Sequence, residues 1–278
     1  MTLRHMKIFL ALCEHDYNTT RAAEALHMTQ PAVSLALREL EAHYGVVLFD
    51  RIGRRLCITA TGERFASYAS RIAALFDDME RQLHGWDRCV LLRVGASITI
   101  GSQFLPGYVK RFRALHPGAE IQATMAPSKL LEQKLMDNLL DLALMEGVPH
   151  VPALQSEEYM EDHLVVITPT DGPFRPGQHL SQTEFRQQKF LLRERGSGTR
   201  EEFERVTEQA GFTVSPTWEA TSTTALVNAV ISGLGIAVLP YRMVSAPLER
   251  GLVSAVTVEG LEFHRKFRIV YHRDKFLT

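Results

Sequence analysis

The sequence has 278 residues, 45% of them hydrophobic and 23% charged, with a formal net charge of −1. That is an ordinary globular composition for one large or two to three small domains. So balanced a charge excludes nucleic-acid binding through bulk electrostatics and leaves local geometry and local basic clusters as its route. The longest apolar runs, such as residues 234–240, fall well short of the ~20 residues that a membrane helix needs. The opening MTLRHMKIFLALCEHD lacks the small-residue cleavage site of a secretory leader, so no leader is expected. Cys13, Cys57 and Cys89 have no metal-ligand spacing. They read as plain structural or surface thiols in a reducing cytosol, which makes a cytoplasmic location the expectation.

In chain order, Leu3, Met6, Ile8, Phe9 and Leu12 form an apolar stripe at helical period. Asn18 or Thr19 caps a short helix over 20–27, built on Ala22, Ala23, Ala25 and Leu26. A third helix opens at Gln30 and Pro31, with Thr29 as its N-cap and the proline in the first turn, where its missing N–H costs nothing. It carries Val33, Leu37, Leu40 and Tyr44 inward, and Gly45 ends it. Residues 46–59 alternate about the basic turn Arg51, Gly53, Arg54, Arg55 and read as a two-stranded wing. Residues 61–86 form one long helical pattern with Phe65, Tyr68, Ile72, Leu75, Phe76, Met79 and Leu83 apolar. So sustained a stripe suggests a helix that packs on another chain, the alternative being a helix buried against its own domain.

From Val90 the texture changes to strands alternating with helices. LLRVGASI, AEIQATMA, LDLALMEG, HLVVITP, KFLLRE, PTWEAT, GIAVLP and FRIVYH read as strands, with an irregular stretch before HLVVITP. Between them lie helices that include 199–210 and 223–233. The region is α/β and divides into two lobes.

The segment TTRAAEALHMTQPAVSLALRELEAHYG has the geometry of a helix-turn-helix whose second helix exposes its N-terminal face to a major groove. Thr29, Gln30, Ser34 and Arg38 stand on that face. Glutamine can pair with adenine through two hydrogen bonds, and serine reaches bases or phosphates. Arg51, Arg54 and Arg55 at the wing tip suit the phosphate backbone or the minor groove. A merely solvated polar face is the competing reading for each.

The elements RAAEALHMTQPAVS, LEAHYGVVLFDR and ITATGERF place residues 3–65 in close resemblance to the N-terminal domain of the LysR-type transcriptional regulators. The βα order that follows extends the resemblance over nearly the whole chain. It implies a winged helix-turn-helix over 1–60, a dimerising linker helix over 61–87 and a two-lobed, periplasmic-binding-protein-like (type 2) α/β effector domain over 90–278. Lobe I would take about 90–161 and 268–278, and lobe II about 162–267. The DNA-binding residues it implies are Thr29, Gln30, Pro31, Ser34, Arg38, Arg51, Arg54 and Arg55. The implied partners are double-stranded promoter DNA, a small-molecule effector, further copies of the chain (a dimer through the linker helix, assembled into a tetramer) and RNA polymerase, with no membrane. Two departures stand out. Relatives often place basic or polar residues after Ser34, where this chain has Leu35 and Ala36. Such chains also usually continue into a last helix, whereas this sequence ends at FRIVYHRDKFLT.

Helix starts follow several strand ends at Ser97–Thr99, Pro127 and Ser128, 196–199 and 221–224. Each offers free N–H groups and about half a positive charge. Converging on one cleft between the lobes, they would favour a small anion such as a carboxylate, sulfate or phosphate, with Arg195 and Arg200 adding charge-assisted contacts. The candidate effector residues are Ser97, Thr99, Ser128, Glu146, Arg195, Gly196, Ser197, Gly198, Thr199, Arg200 and Thr223. As caps alone, the serines and threonines would each stabilise a helix by ~1 kcal/mol, and Glu146 is either a selector of a ligand amine or a solvated strand end. RERGSGTRE also resembles relatives that sense sulfur or carbon-fixation metabolites. An enzyme is the rival reading, but GSGT lacks P-loop spacing, no G-x-S-x-G elbow is present, and the 11 histidines form no HExxH pattern. A solute-binding protein is the other, against which the DNA-binding segment argues. No catalytic residue, metal or cofactor beyond the effector is expected.

Overall fold

The protein is described by a computed structural model over residues 1–53, 55–83 and 90–275. Contacts separate two units, Met1–Val90 with Met136–Leu139, and Leu91–Leu135 with Leu140–Thr278. The first unit starts with helices α1 (Leu3–Glu14), α2 (Thr19–Ala25) and α3 (Gln30–Tyr44). The wing strands β1 (Phe49–Ile52) and β2 (Arg55–Ile58) follow, then the long helix α4 (Ala60–Leu83).

Each boundary has a local cause. The Asn18 side chain accepts from the backbone N–H groups of Thr20 and Arg21, two of the donors that a helix start leaves free. Gly45 ends α3 at φ +64°. Glu41 Oε1 accepts from the N–H groups of Leu48 and Phe49 and so ties α3 to the wing. At the entry to α4 the Thr59 hydroxyl accepts from Gly62 N–H. A Cβ on Gly62 would stand 2.3 Å from the Leu48 carbonyl oxygen, so this turn closes only over glycine.

Phe9, Leu12, Leu37, Leu40, Leu48 and Phe49 form the core of this unit. The Phe9 ring lies 5.2 Å from Phe49 and 4.9 Å from Phe65. Tyr44, expected inward, is exposed, because the last turn of α3 runs past the end of this core; of the core rings it meets the edge of Phe65, at 5.7 Å. Cys13 and Cys57 are free thiols, and burial pushes the Cys13 thiol up to about 12, which makes it unreactive. Cys89 lies outside the described residues.

The second unit opens as β3 (Val90–Ala96), α5 (Ile98–Gln103), α6 (Leu105–Leu115), β4 (Ala119–Met125), α7 (Ser128–Met136) and β5 (Leu142–Glu146). Next comes β6 (Leu154–Pro169), which takes in residues 154–162 as well as the expected 163–169. The charges of SEEYMED hide the strand pattern there. They are matched across the sheet, Glu158 with Lys266 and Arg268. The rest is β7 (His179–Leu180), α8 (Gln182–Arg186), β8 (Leu191–Arg193), α9 (Gly198–Gln209), β9 (Trp218–Ala220), α10 (Thr223–Ile231), β10 (Ala237–Pro240), α11 (Tyr241–Glu249), β11 (Val253–Val258) and β12 (His264–His272). Of these, β7, α8, α11 and β11 had no counterpart in the sequence reading.

The main sheet has the order β4-β3-β5-β12-β6-β11-β7, with β10 also paired to β6. Strand β6 pairs with β12 from Leu154 to His163, then with β10 from Leu164 and with β11 from Val166. Val94, Ile100, Leu105, Leu144 and Phe267 are buried together on one side of this changeover. Leu164, Phe185, Phe190, Phe203 and Val256 are buried together on the other. The unit is thus a two-lobed α/β domain, and β6 and the entry to β12 join its lobes. Among the described residues no helix is long and apolar enough to cross a membrane.

Candidate functional site

Three strand ends of the second unit deliver helix starts to one place. Ser97 caps α5 after β3, Ser128 opens α7 after β4, and Ser197 caps α9 after β8. Ser97, Thr99, Ser128, Glu146, Ser197, Gly198 and Thr199 line one narrow cavity of about 10 Å³ between the lobes, together with Ile98, Pro127 and Arg193. The lobes touch at its rim, where Lys129 N–H donates to the Gly196 carbonyl at 3.4 Å. Gly198 is required there, since a Cβ would lie 2.9 Å from the Glu146 Cβ.

The electrostatics rest on two arginines that the sequence reading missed. Arg265, on β12, is buried and its guanidinium joins both lobes. Its Nε donates to Asp162 Oδ2 at 2.8 Å with Nη2 in ion-pair contact at 2.7 Å, Nη1 donates to Thr199 Oγ1 at 2.9 Å, and Nη2 donates to Thr99 Oγ1 at 3.3 Å. Glu146 Oε1 stands 3.6 Å from Nη1. Arg193 lines the cavity, held by Glu194 through Nε and Nη2 at 2.8 and 2.9 Å and by the Thr223 hydroxyl through Nη1 at 3.3 Å. Both arginines sit in strands whose sequence reads as ordinary alternation, KFLLRE and FHRKFRIV. What reveals them is their distant partners, Thr223 for Arg193, 30 residues on, and Thr99 for Arg265, 166 residues back.

Arg195 and Arg200, expected as the cations of this wall, are not in it. Arg195 is exposed in the loop before α9. Arg200 is buried but turned away, with Nε on Glu204 at 2.6 Å and Nη1 on the Arg193 carbonyl at 3.4 Å. In the first turn of α9 the Thr199 hydroxyl meets Arg265 while the Arg200 side chain runs along the helix to Glu204, one turn on. Gly196 contributes its carbonyl to the rim, and Thr223 touches the site only through Arg193. The cap of α10 is Ser222, whose hydroxyl accepts from Ala225 N–H. A larger open groove of about 620 Å³, lined by His179, Gln182, Arg205 and Gln209 among others, lies on lobe II away from these residues.

In the first unit Thr29, Gln30, Pro31 and Arg38 are exposed and Ser34 is half-buried. They share the outward side of α3, opposite Val33, Leu37 and Leu40. Gln30 Nε2 donates to Thr19 Oγ1 at 3.2 Å and Ser34 Oγ at 3.0 Å, and Arg38 Nε donates to the Ser34 carbonyl at 3.3 Å. The two helices of the motif therefore hold the glutamine before any partner arrives. Of the departures after Ser34, Ala36 is buried and Leu35 is exposed. Arg51 and Arg55 are exposed on the wing; Arg54 lies outside the described residues.

Helix α4 packs on α1, with Lys7 bonded to Asp77 at 2.7 Å and its ammonium over the Phe76 ring. A second row faces solvent: Tyr68, Ile72, Leu75 and Met79 are 65, 44, 59 and 45% exposed. Their spacing of four, three and four residues is that of a coiled-coil seam.

Comparison with known proteins agrees with this architecture. Residues 3–63 match the family described as bacterial regulatory helix-turn-helix protein, lysR family, and residues 89–278 match the LysR substrate binding domain. The RuBisCO operon transcriptional regulator of Allochromatium vinosum is 33% identical over 281 residues, covering 100% of this chain and 92% of that protein. Among solved structures, full-length CbnR complexed with its target DNA has a TM-score of 0.69 at 21% identity, over 99% of this chain and 94% of that one. The Synechocystis PCC6803 CcmR regulatory domain in complex with 2-PG has a TM-score of 0.62 at 23% identity, over 68% of this chain and 90% of that one. The two structural likenesses speak to the fold alone.

Proposed function

The chain belongs to the LysR family of DNA-binding transcriptional regulators, and from that membership we propose that it adjusts transcription to a small anionic effector held between the lobes of its second unit. Its relatives are regulators and it is not an enzyme. The observation that carries the effector reading is the meeting of three helix starts, their hydroxyls and Arg193 in one cavity. Free N–H groups and helix dipoles make such a place receptive to negative charge. The CcmR regulatory domain, of the same fold, binds 2-PG.

In this reading residues 1–60 are the DNA-binding head, 61–87 the linker and 90–278 the effector domain. Gln30, with Thr29, Pro31, Ser34 and Arg38 around it, reads base edges in the major groove, while Arg51, Arg54 and Arg55 follow the phosphates. Two copies pair through the exposed row of α4, and dimers assemble into a cytoplasmic tetramer on promoter DNA, where RNA polymerase is a further partner. An effector shifts the protein between states only through contacts that differ between them. Arg265, bonded to both lobes, is where such a difference arises.

Gln30→Ala is expected to weaken binding to the specific site by ~1–3 kcal/mol, the worth of a two-bond base contact. Binding to unrelated DNA should hardly change. Fluorescence anisotropy on both DNAs at fixed salt checks this. An equal loss on both would assign Gln30 to the backbone instead.

A further inference from the structure

We propose that the cleft selects an effector group that brings its own proton, a small oxyanion with at least one O–H, donated to Glu146. This rests on the reading of the cleft as the effector site and gives that site its selectivity.

The first observation is the state of Glu146. It is 4% exposed and lines the cavity, yet its nearest polar partners are Ser128 Oγ at 3.5 Å and Arg265 Nη1 at 3.6 Å. Ionised hydrogen bonds normally run about 2.7–2.9 Å, and Asp162 in the same network receives one from Arg265 Nε at 2.8 Å and has Nη2 in ion-pair contact at 2.7 Å. Arg265 directs one Nη1 N–H to Thr199 and one Nη2 N–H to Thr99, and its Nη1 stays 3.6 Å from Glu146, beyond hydrogen-bond distance. Glu146 is therefore left as an acceptor awaiting a short donor.

The second observation is independent. Ser97 is 3% exposed, lines the same cavity, and its hydroxyl has no hydrogen-bond partner. An orphaned buried polar group costs ~1–3 kcal/mol, which a ligand that bonds it relieves.

Charge decides between ligand classes. Two cations, Arg193 and Arg265, stand among three carboxylates, Glu146, Asp162 and Glu194. A fully deprotonated anion would face the Glu146 charge directly, whereas a protonated one turns that repulsion into a hydrogen bond. The Ser97 hydroxyl and the start of the twelve-residue helix α9 then serve its other oxygens. One small group meeting donors on one side and an acceptor on the other fits a protonated oxyanion better than an amine, which has no use for the donors.

Calorimetric titration of the full chain at neutral pH tests this, with phosphate, hydrogensulfite and bicarbonate against sulfate, nitrate and glycine. At least one protonated oxyanion is expected to bind about tenfold or more tighter than sulfate, a difference of about 1.4 kcal/mol. Glu146→Gln, isosteric and able to donate, should shift the ratio toward sulfate. Ser97→Ala, which removes an unbonded hydroxyl and leaves the fold intact, should weaken every oxyanion and keep the ratio. Sulfate or nitrate binding the wild type as well as the protonated set, a ratio unmoved by Glu146→Gln, glycine alone binding, or no binding at all would each overturn the proposal. Oxyanion binding that neither substitution alters would place the ions elsewhere and would also remove the cleft reading on which it rests.

Discussion

Arg265→Leu is expected to cost the second unit about 3–5 kcal/mol, the loss that follows when one partner of a buried ionic network is removed. The side chains of Arg265, Asp162 and Glu146 are 2, 1 and 3% exposed, so water cannot replace the guanidinium. Asp162 would lose a short hydrogen bond and a close ion pair, and Thr199 and Thr99 would lose their link between the lobes. Denaturant unfolding followed by circular dichroism measures the effect, and adding Asp162→Asn to Arg265→Leu should recover part of it by removing the stranded charge. A loss below about 1 kcal/mol, the range of exposed pairs, would show that the network opens to solvent and does not hold the lobes. This expectation concerns stability, so it stands apart from whatever the cleft binds.

The second large effect is on assembly. Ile72→Glu with Leu75→Glu places two charges in the exposed row of α4, on the side away from the packing of Phe65 and Phe76 on α1. The isolated chain should keep its helix content, since neither residue is buried. Dimers should dissociate, because a charge in an apolar seam has no partner to offset its desolvation. With paired heads lost, affinity for a two-part site should fall by ~10²–10⁴, the gain that joined binding modules ordinarily provide. Sedimentation velocity and DNA titration follow the two consequences separately. An unchanged sedimentation coefficient would mean that this row is not where copies of the chain meet.

Where the sequence was informative, the cause was local. Asn18, Pro31 and Gly45 act on their own helix ends, so α2 and α3 could be placed to within a residue or two from capping rules. The serines and threonines at 97, 99, 128, 197 and 199 were legible because each follows a strand end, and the structure gathers them in one cavity. The misses have long-range causes. SEEYMED looks like a solvated loop until Lys266 and Arg268 are set beside it. Arg195 and Arg200 carried the right charge in a conspicuous stretch, but the first is exposed in the loop before α9 and the second is drawn onto Glu204. Arg193 and Arg265 do their work inside strands where arginine is normally read as outward. Tyr44 kept the apolar period of α3 past the point where a core remained to receive it.

The claim joining both units is that occupancy of the cleft alters how the heads hold DNA. Footprinting the full chain on the DNA upstream of its own gene, with and without the tightest-binding oxyanion, tests it most directly. The expected result is a protected region that weakens as salt rises, as phosphate contacts require, and whose extent changes when the oxyanion is added. Absence of salt-dependent, site-specific protection, or a footprint identical with and without a ligand shown to occupy the cleft, would contradict the account.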